Sequence, residues 1–510
     1  MDYETIQSGF DACHDRKSNT DRTLLKDLRD QAIHLTGVKG TGVAALAEIL
    51  VGEGARVSGS DGAETYYTDE LLARVAVVPQ VGFAAEHVPH DATLLIYSAA
   101  YGPENPERRE AERRGIPQMS YAEALGSFSR DRLSMAVSGV HGKTSVTAMA
   151  GTLVTGSGLP VTVVAGSAVP SFGGSATLRE GDRLLIAETC EYRRHFLEFT
   201  PDVLLLTSVE SDHQDYYPTL EEILSAFEEF GGNLRQEGAL VYCHDDAGAR
   251  EIARRVGTSR RDISLVPYGF TAPEPWRCTS RRIESSAQVF TLLGPDGRDE
   301  PWRLPVPGRH MVANAAGALA ALTEMIRRYA PEPGNPVLPS TQWRRRLATF
   351  RGTRRRSEVV AETAGITIID DYAHHPTAIA GTLAGFREFY PGRRIVVDFM
   401  SHTWSRTAAL LDDFGPALAP ADMVVLNDIY ASAREENHTG LTGEILFQAV
   451  AATHPRVVYQ PDFEKAARFL VRTLRAGDVF VTMGAGDNFR IGRRVQALLT
   501  EQSDEGGARA

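Results

Sequence analysis

Short apolar runs alternate with longer helix-like segments along this chain, and the alternation starts afresh twice. AIHLTGV, ARVSGSD and TLLIYSAA are strand-like, and GVAALAEILVGEG between the first two is helix-like. Strand, helix, strand with short loops implies a parallel sheet covered by helices, because parallel neighbours need a crossover that returns the chain. The pattern restarts at LSMAVSGV, followed by KTSVTAMAGTLVTGSG, RLLIAETCE and DVLLLTSVE. It restarts again at ITIIDDY, RRIVVDFM, ADMVVLNDIY and DVFVTMGAG. Three α/β units are expected: 29–128, 129–347 and 348–510, after a polar tail at 1–28. GSFSRDR and WRRRLATFRGTRRRSE are the expected seams. A length of 510 residues agrees, at roughly 150 residues per domain. Within 260–306, VPYGF, WRCTSRRIES, AQVFTLLGP and PWRLPVPG alternate and are broken by Gly and Pro. They are expected as antiparallel strands appended to the second unit. The last stretch, TEQSDEGGARA, is expected to fray.

Charge narrows the function. A net charge of −12 argues against a nucleic-acid coat or a polybasic membrane binder. Cys13, Cys190, Cys243 and Cys278 form no close pairs, hence no disulfide framework and no zinc spacing. The N-terminal stretch has no apolar signal core, and no run nears the roughly 20 apolar residues of a membrane span, so a cytoplasmic protein without membrane insertion is expected. Of 54 basic residues only Lys17, Lys26, Lys39, Lys143 and Lys465 are lysines. A lysine inside a motif is therefore notable.

Lys143 is in one. Gly139-Val-His141-Gly142-Lys143-Thr144-Ser145 follows a strand and opens a helix, the setting in which backbone N–H groups cradle phosphates. Lys143 would reach the β/γ-phosphates, and Thr144 would offer its hydroxyl to Mg²⁺. The full P-loop pattern is not met, since Val137 stands at its first glycine. A second loop, Gly37-Val-Lys39-Gly40-Thr-Gly42, also joins strand to helix, and Asp61 closes the next strand about 20 residues on. On spacing alone, NAD binding and a plain structural turn both stay open there. Glu188-Thr-Cys-Glu191 and Glu210-Ser-Asp212-His213-Gln-Asp215 end two further strands. Acids with one imidazole suit Mg²⁺ or Mn²⁺, and helix capping is the alternative. In the third unit Asp370-Asp371-Tyr-Ala-His374-His375-Pro376 and His402-Thr-Trp-Ser-Arg406-Thr407 follow neighbouring strands. An Arg and a His so placed could bind a carboxylate and steer an amine.

In this order the motifs resemble the Mur ligase family, most closely its alanine-adding branch, over roughly residues 32–495. Further stretches carry the likeness: PGRHMVANAAGALAA, DIYASAREEN and TMGAGDNF. The resemblance implies a Rossmann-like UDP-binding domain, a central P-loop ATPase domain with the added antiparallel strands, and a C-terminal Rossmann-like amino-acid-binding domain. It implies ATP-dependent ligation of L-alanine to UDP-N-acetylmuramate through an acyl phosphate, for peptidoglycan precursor synthesis. ATP and Mg²⁺ or Mn²⁺ are its cofactors, and a monomer or homodimer is expected. By resemblance, Gly37, Gly40, Gly42, Asp61 and Ser98 serve the UDP-sugar in place of NAD. Gly139, His141, Gly142, Lys143, Thr144, Ser145, His310 and Asn314 serve ATP. Thr144 and Glu188 hold one metal and His213 a second, while His374 and Arg406 contact the amino acid and act with Lys143 in catalysis. Met311, Ser208, Ala373 and Thr189 depart from the family pattern. The helix-like ILSAFEEFGGN carries no lysine, so no carbamylated lysine is expected there. A ligase for another amino acid or a peptide, and a non-catalytic nucleotide sensor, are the rival readings.

Overall fold

The structure, a computed structural model, describes residues 25, 27–294, 297, 299–329, 341–430, 435 and 437–507. The expected N-terminal tail, with Cys13, Lys17 and Lys26, lies outside these residues apart from its last few positions. Part of DIYASAREEN lies outside as well.

Three sheets follow one another along the chain. The first holds β1 (Ala32–Thr36), β2 (Arg56–Asp61), β3 (Gln80–Val81), β4 (Leu94–Tyr97) and β5 (Gln118–Ser120). Its order is β3-β2-β1-β4-β5, all parallel. Crossovers from β1 therefore leave to both sides and open a crevice at its C-terminal end, where the Gly37 loop lies.

The second sheet holds β6 (Leu133–Ser138), β7 (Val161–Val164), β8 (Thr177–Arg179), β9 (Leu184–Glu188), β10 (Val203–Leu206), β11 (Ala239–Cys243), β12 (Ser264–Gly269), β13 (Trp276–Ile283), β14 (Gln288–Leu293) and β15 (Asp299–Leu304). Its order is β15-β14-β13-β12-β11-β10-β6-β9-β7-β8. β6, which leads into the P-loop, is central, between β10 and β9. The antiparallel reading of 260–306 holds only from β13 onward. VPYGF, within β12, pairs parallel with β11. The helix Ala247–Ser259 is the reason: it carries the chain back to the end where β11 began.

The third sheet holds β16 (Glu358–Thr363), β17 (Ile366–Asp371), β18 (Ile395–Met400), β19 (Met423–Leu426), β20 (Val457–Tyr459) and β21 (Val479–Gly484), ordered β16-β17-β21-β18-β19-β20. Only the edge strand β16 is antiparallel.

The seams differ from expectation in a physical way. GSFSRD is the end of the helix Tyr121–Asp131, whose capping box joins Ser120 and Glu123. Leu125 and Phe128 of that helix are buried in one apolar core that runs through both the first and second sheets. The expected boundary at 128 therefore cuts a helix rather than a linker. Trp343, Leu347 and Phe350 belong to the same core, whereas the third sheet has separate cores on its two faces. TEQSDEGG lies within the helix Phe489–Gly507, and the final residues of the stretch expected to fray lie outside the described residues. Among the described residues no helix is long and apolar enough to cross a membrane.

Candidate active site at the P-loop

β6 ends at Ser138, and the helix Lys143–Val154 starts at its C-terminal edge. Two glycines in the turn have no substitute. Gly139 (φ +128°) would place a Cβ 2.1 Å from Thr207 Oγ1, and Gly142 (φ +81°) one 2.9 Å from Asn314 Oδ1. Ser208, a departure from the family pattern, braces this loop: its Oγ accepts from the His141 N–H at 3.0 Å. Met311, another departure, is buried and accepts from Asn314 Nδ2 through Sδ at 3.7 Å. Thr189 donates to the Val137 carbonyl at 3.3 Å. Ala373 does not have positive φ, so its methyl carries no backbone strain.

The Lys143 ammonium donates to both oxygens of Glu191, at 3.0 and 2.7 Å, and to the Gly139 carbonyl. Burial alone would lower the lysine, but Glu191 and Glu188 outweigh it and its pKa is raised. Burial alone would raise Glu191, and Lys143 with His213 brings it below the usual range. Beside this pair, Thr144 Oγ1 donates to Glu188 Oε1 at 3.0 Å, and Glu188 Oε2 accepts from the Gly166 N–H at 2.6 Å. His213 stands with Nε2 3.5 Å from Glu191 Oε1. A hydroxyl, two carboxylates and one imidazole at a phosphate loop form a donor set that fits Mg²⁺ or Mn²⁺. Ser145 is buried at the start of the helix. His310 is exposed at the start of the helix Arg309–Tyr329, turned toward Gly381 of the third unit, and Asn314 one turn on meets the P-loop.

Asp212, next to His213, reaches the third unit. Arg406 Nε and Nη2 both meet Asp212 Oδ1 at 2.8 Å, and the pair is buried. Nη1 donates to the His402 carbonyl at 2.9 Å. The Nε–Nη2 edge of the guanidinium that was expected to contact the amino acid thus meets Asp212 in this arrangement. Burial would raise Asp212, yet Arg406, His213 and His374 hold it far below the carboxylate range. His374 Nδ1–H donates to the Tyr372 carbonyl at 2.8 Å, which leaves the lone pair on Nε2. Burial, and then the Arg406 charge, push His374 well below the usual imidazole range.

The first unit supplies a separate loop. A Cβ on Gly37 (φ +83°) would sit 2.5 Å from the Tyr101 ring and 3.0 Å from Ser98 Cβ, and one on Gly42 2.7 Å from the Tyr121 ring. Gly40 N–H donates to the Gly37 carbonyl at 3.3 Å. Asp61 accepts from Lys39 N–H at 2.7 Å, Gly62 N–H at 2.8 Å and the Tyr101 hydroxyl at 3.1 Å. Its carboxylate therefore shapes the glycine loop. The Lys39 ammonium is spent on the Gly62 and Glu64 carbonyls and on Asp69.

Residues 32–133 match the Mur ligase family catalytic domain, 137–322 the Mur ligase middle domain and 355–486 the Mur ligase glutamate ligase domain. The chain belongs to the Mur ligase family. The UDP-N-acetylmuramate–L-alanine ligase of Treponema pallidum is 47% identical over 471 residues, spanning 92% of this chain and 97% of that one. The enzyme of the same name from Desulfitobacterium hafniense is 36% identical over 462 residues, spanning 90% and 98%. Among solved structures, the UDP-N-acetylmuramate–alanine ligase of Thermotoga maritima superposes with a TM-score of 0.74 at 25% identity, covering 93% of this chain and 99% of its own. Against this Mur ligase frame, sequence reasoning leaves four residues without roles: Glu191, Glu210, Asp212 and His375. The strand-end position of the three acids was a signal. Their partners, far along the chain, were not visible.

Proposed function

We propose that this chain joins L-alanine to UDP-N-acetylmuramate at the expense of ATP, forming a peptidoglycan precursor with ADP and phosphate. The observation that carries the reading is the Asp212-His213 step. Its His213 faces the Lys143–Glu191 pair at the P-loop, and its Asp212 faces Arg406 and His374. Phosphate chemistry and amine chemistry thus meet at two adjacent residues.

A carboxylate is a poor acyl donor, so one of its oxygens attacks the γ-phosphorus and the bond to ADP breaks, giving an acyl phosphate. Lys143 offsets the charge that builds on the transferring group. Thr144 and Glu188 would hold one Mg²⁺ and His213 a second, which when bound screen the phosphate oxygens. The amine nitrogen then attacks the acyl carbon, and the carbon–oxygen bond to phosphate breaks. His374, kept neutral with its Nε2 lone pair open, takes the proton that the amine loses. Gly37, Gly40, Gly42 and Ser98 line the UDP-sugar crevice, with Asp61 shaping the loop, and Asn314 and His310 lie on the adenine side. Phosphate release with ATP, UDP-N-acetylmuramate and a panel of amino acids tests this reading. Alanine should be preferred, with Ser or Gly next. Preference for an acidic or dibasic amino acid, or for a peptide, would replace the alanine assignment, and no release with any would favour a nucleotide sensor.

A further inference from the structure

Three ligand-type side chains from three segments meet at the seam between the second and third units. His141 comes from the P-loop, Glu210 from the loop after β10, and His375 from the cap of the helix Pro376–Phe389. One donor atom of each lies within 4.8 Å of the other two. His141 Nε2 stands 2.5 Å from Glu210 Oε1, yet it is buried and makes no hydrogen bond of acceptable geometry.

We propose that His141, Glu210 and His375 bind a divalent transition-metal ion of the zinc class, at a site separate from the Thr144–Glu188 site. Two imidazoles are borderline donors and, joined by one carboxylate, favour Zn²⁺ or Co²⁺ over Mg²⁺. Each of two ligands already has the outer support that metal ligands use. His375 Nε2–H donates to the Ser211 carbonyl at 3.3 Å, and Thr377 Oγ1 donates to Glu210 Oε2 at 2.9 Å. Metal bonds of about 2.0–2.1 Å place tetrahedral donors about 3.3 Å apart. Small rotations reach this by parting His141 from Glu210 and drawing in His375 Nδ1, now 3.8 Å from Glu210 Oε1. His375 Nδ1 gives up only a 3.3 Å contact from the Thr377 N–H. A cavity of about 460 Å³, lined by Glu210, Ser211, His375, Thr377 and Asp413, opens on the cluster and leaves a ligand position open to solvent. An ion here ties the P-loop to the third unit.

The test uses the full chain without a tag, stripped of transition metals and kept in excess Mg²⁺. Titration with Co²⁺ is followed by visible absorption, and Zn²⁺ is then added as competitor. One Co²⁺ per chain with intense visible bands is expected, displaced by one Zn²⁺. Affinity should weaken about tenfold or more in Glu210→Gln and in His375→Ala, and stay unchanged in His213→Ala. Thermal melts of the metal-free variants check folding, and the isosteric Glu210→Gln decides the matter if His375→Ala is unstable. Absorption of hydrated Co²⁺ alone, or bands that His213→Ala abolishes and Glu210→Gln keeps, overturns the proposal.

Discussion

Lys143 is paired with an anion of the protein itself, Glu191. That pairing changes what its removal reports. Breaking a buried ion pair from one side leaves the other charge unpaired, at a cost of about 3–5 kcal/mol. Lys143→Ala should therefore lose stability as well as activity, while Lys143→Ala with Glu191→Gln should regain most of the stability and stay below about a tenth of wild-type turnover. Urea titrations beside phosphate-release rates separate the two effects, and a double variant that recovered turnover would remove Lys143 from the chemistry. His213→Ala should raise the Mg²⁺ concentration needed for half-maximal rate, and an unchanged titration curve would take His213 out of the metal site. The placing of Lys143 and Thr144 in a strand–turn–helix loop was legible in the sequence because those elements are contiguous, and Glu188 was legible as a strand-end acid. Glu191 was visible as a strand-end acid, but its bond to a lysine 48 residues earlier exists only after β6 and β9 pair.

Strands show where local pattern stops being informative. The units themselves were legible, since many apolar runs of the parallel sheets are followed by a turn and a helix. β12 was misread because SLVPYG mixes polar and apolar residues with Pro and Gly, unlike the continuous apolar runs of the other parallel strands. Direction is set by the preceding crossover, a non-local property. β18 holds a different kind of information, a buried acid in an apolar strand. Asp398 is fully buried, with Oδ2 accepting from Asn427 Nδ2 at 3.2 Å and Oδ1 without a hydrogen-bond partner. Burial pushes its carboxyl up from 3.8 to about 7. Across that window the unfolded chain has lost the proton that the folded chain keeps. Its contribution is thus fully favourable below the unfolded value and is lost as pH rises through the folded one. The loss amounts to at most about 4 kcal/mol. Other carboxylates, such as Asp212 and Glu191, act in the opposite sense. Only the difference between wild type and Asp398→Asn isolates this group. Urea unfolding at pH 5 and pH 8 should show the variant gaining on wild type at the higher pH, and parallel behaviour would mean that Asp398 is ionised throughout.

On the scale of the molecule, the first two units share one core while the third has its own. Relative movement is therefore concentrated at the junction with the third unit, where polar contacts replace apolar packing. Ser167 donates to the Arg354 carbonyl, Thr377 to Glu210, and Arg281 to Glu388. The Asp212–Arg406 pair is the buried member of this set. Two roles for Arg406 make opposite demands on Asp212. If Asp212 only occupies a guanidinium that the alanine carboxylate must later win, Asp212→Asn frees the fork and lowers the KM for alanine. If the pair instead sets the third unit at its working distance, Asp212→Asn and Arg406→Ala both raise that KM. The geometry favours the second role, since all three guanidinium nitrogens are engaged within the protein. We expect each single variant to raise the KM for alanine about ten- to a hundredfold, matching the roughly 1.5–3 kcal/mol of a charged hydrogen bond. The double variant should be little worse than either single one, because the lost interaction is the same. ATP affinity should change little, and solution scattering should show a larger radius of gyration in both single variants. A fall in KM for Asp212→Asn would return the alanine carboxylate to Arg406.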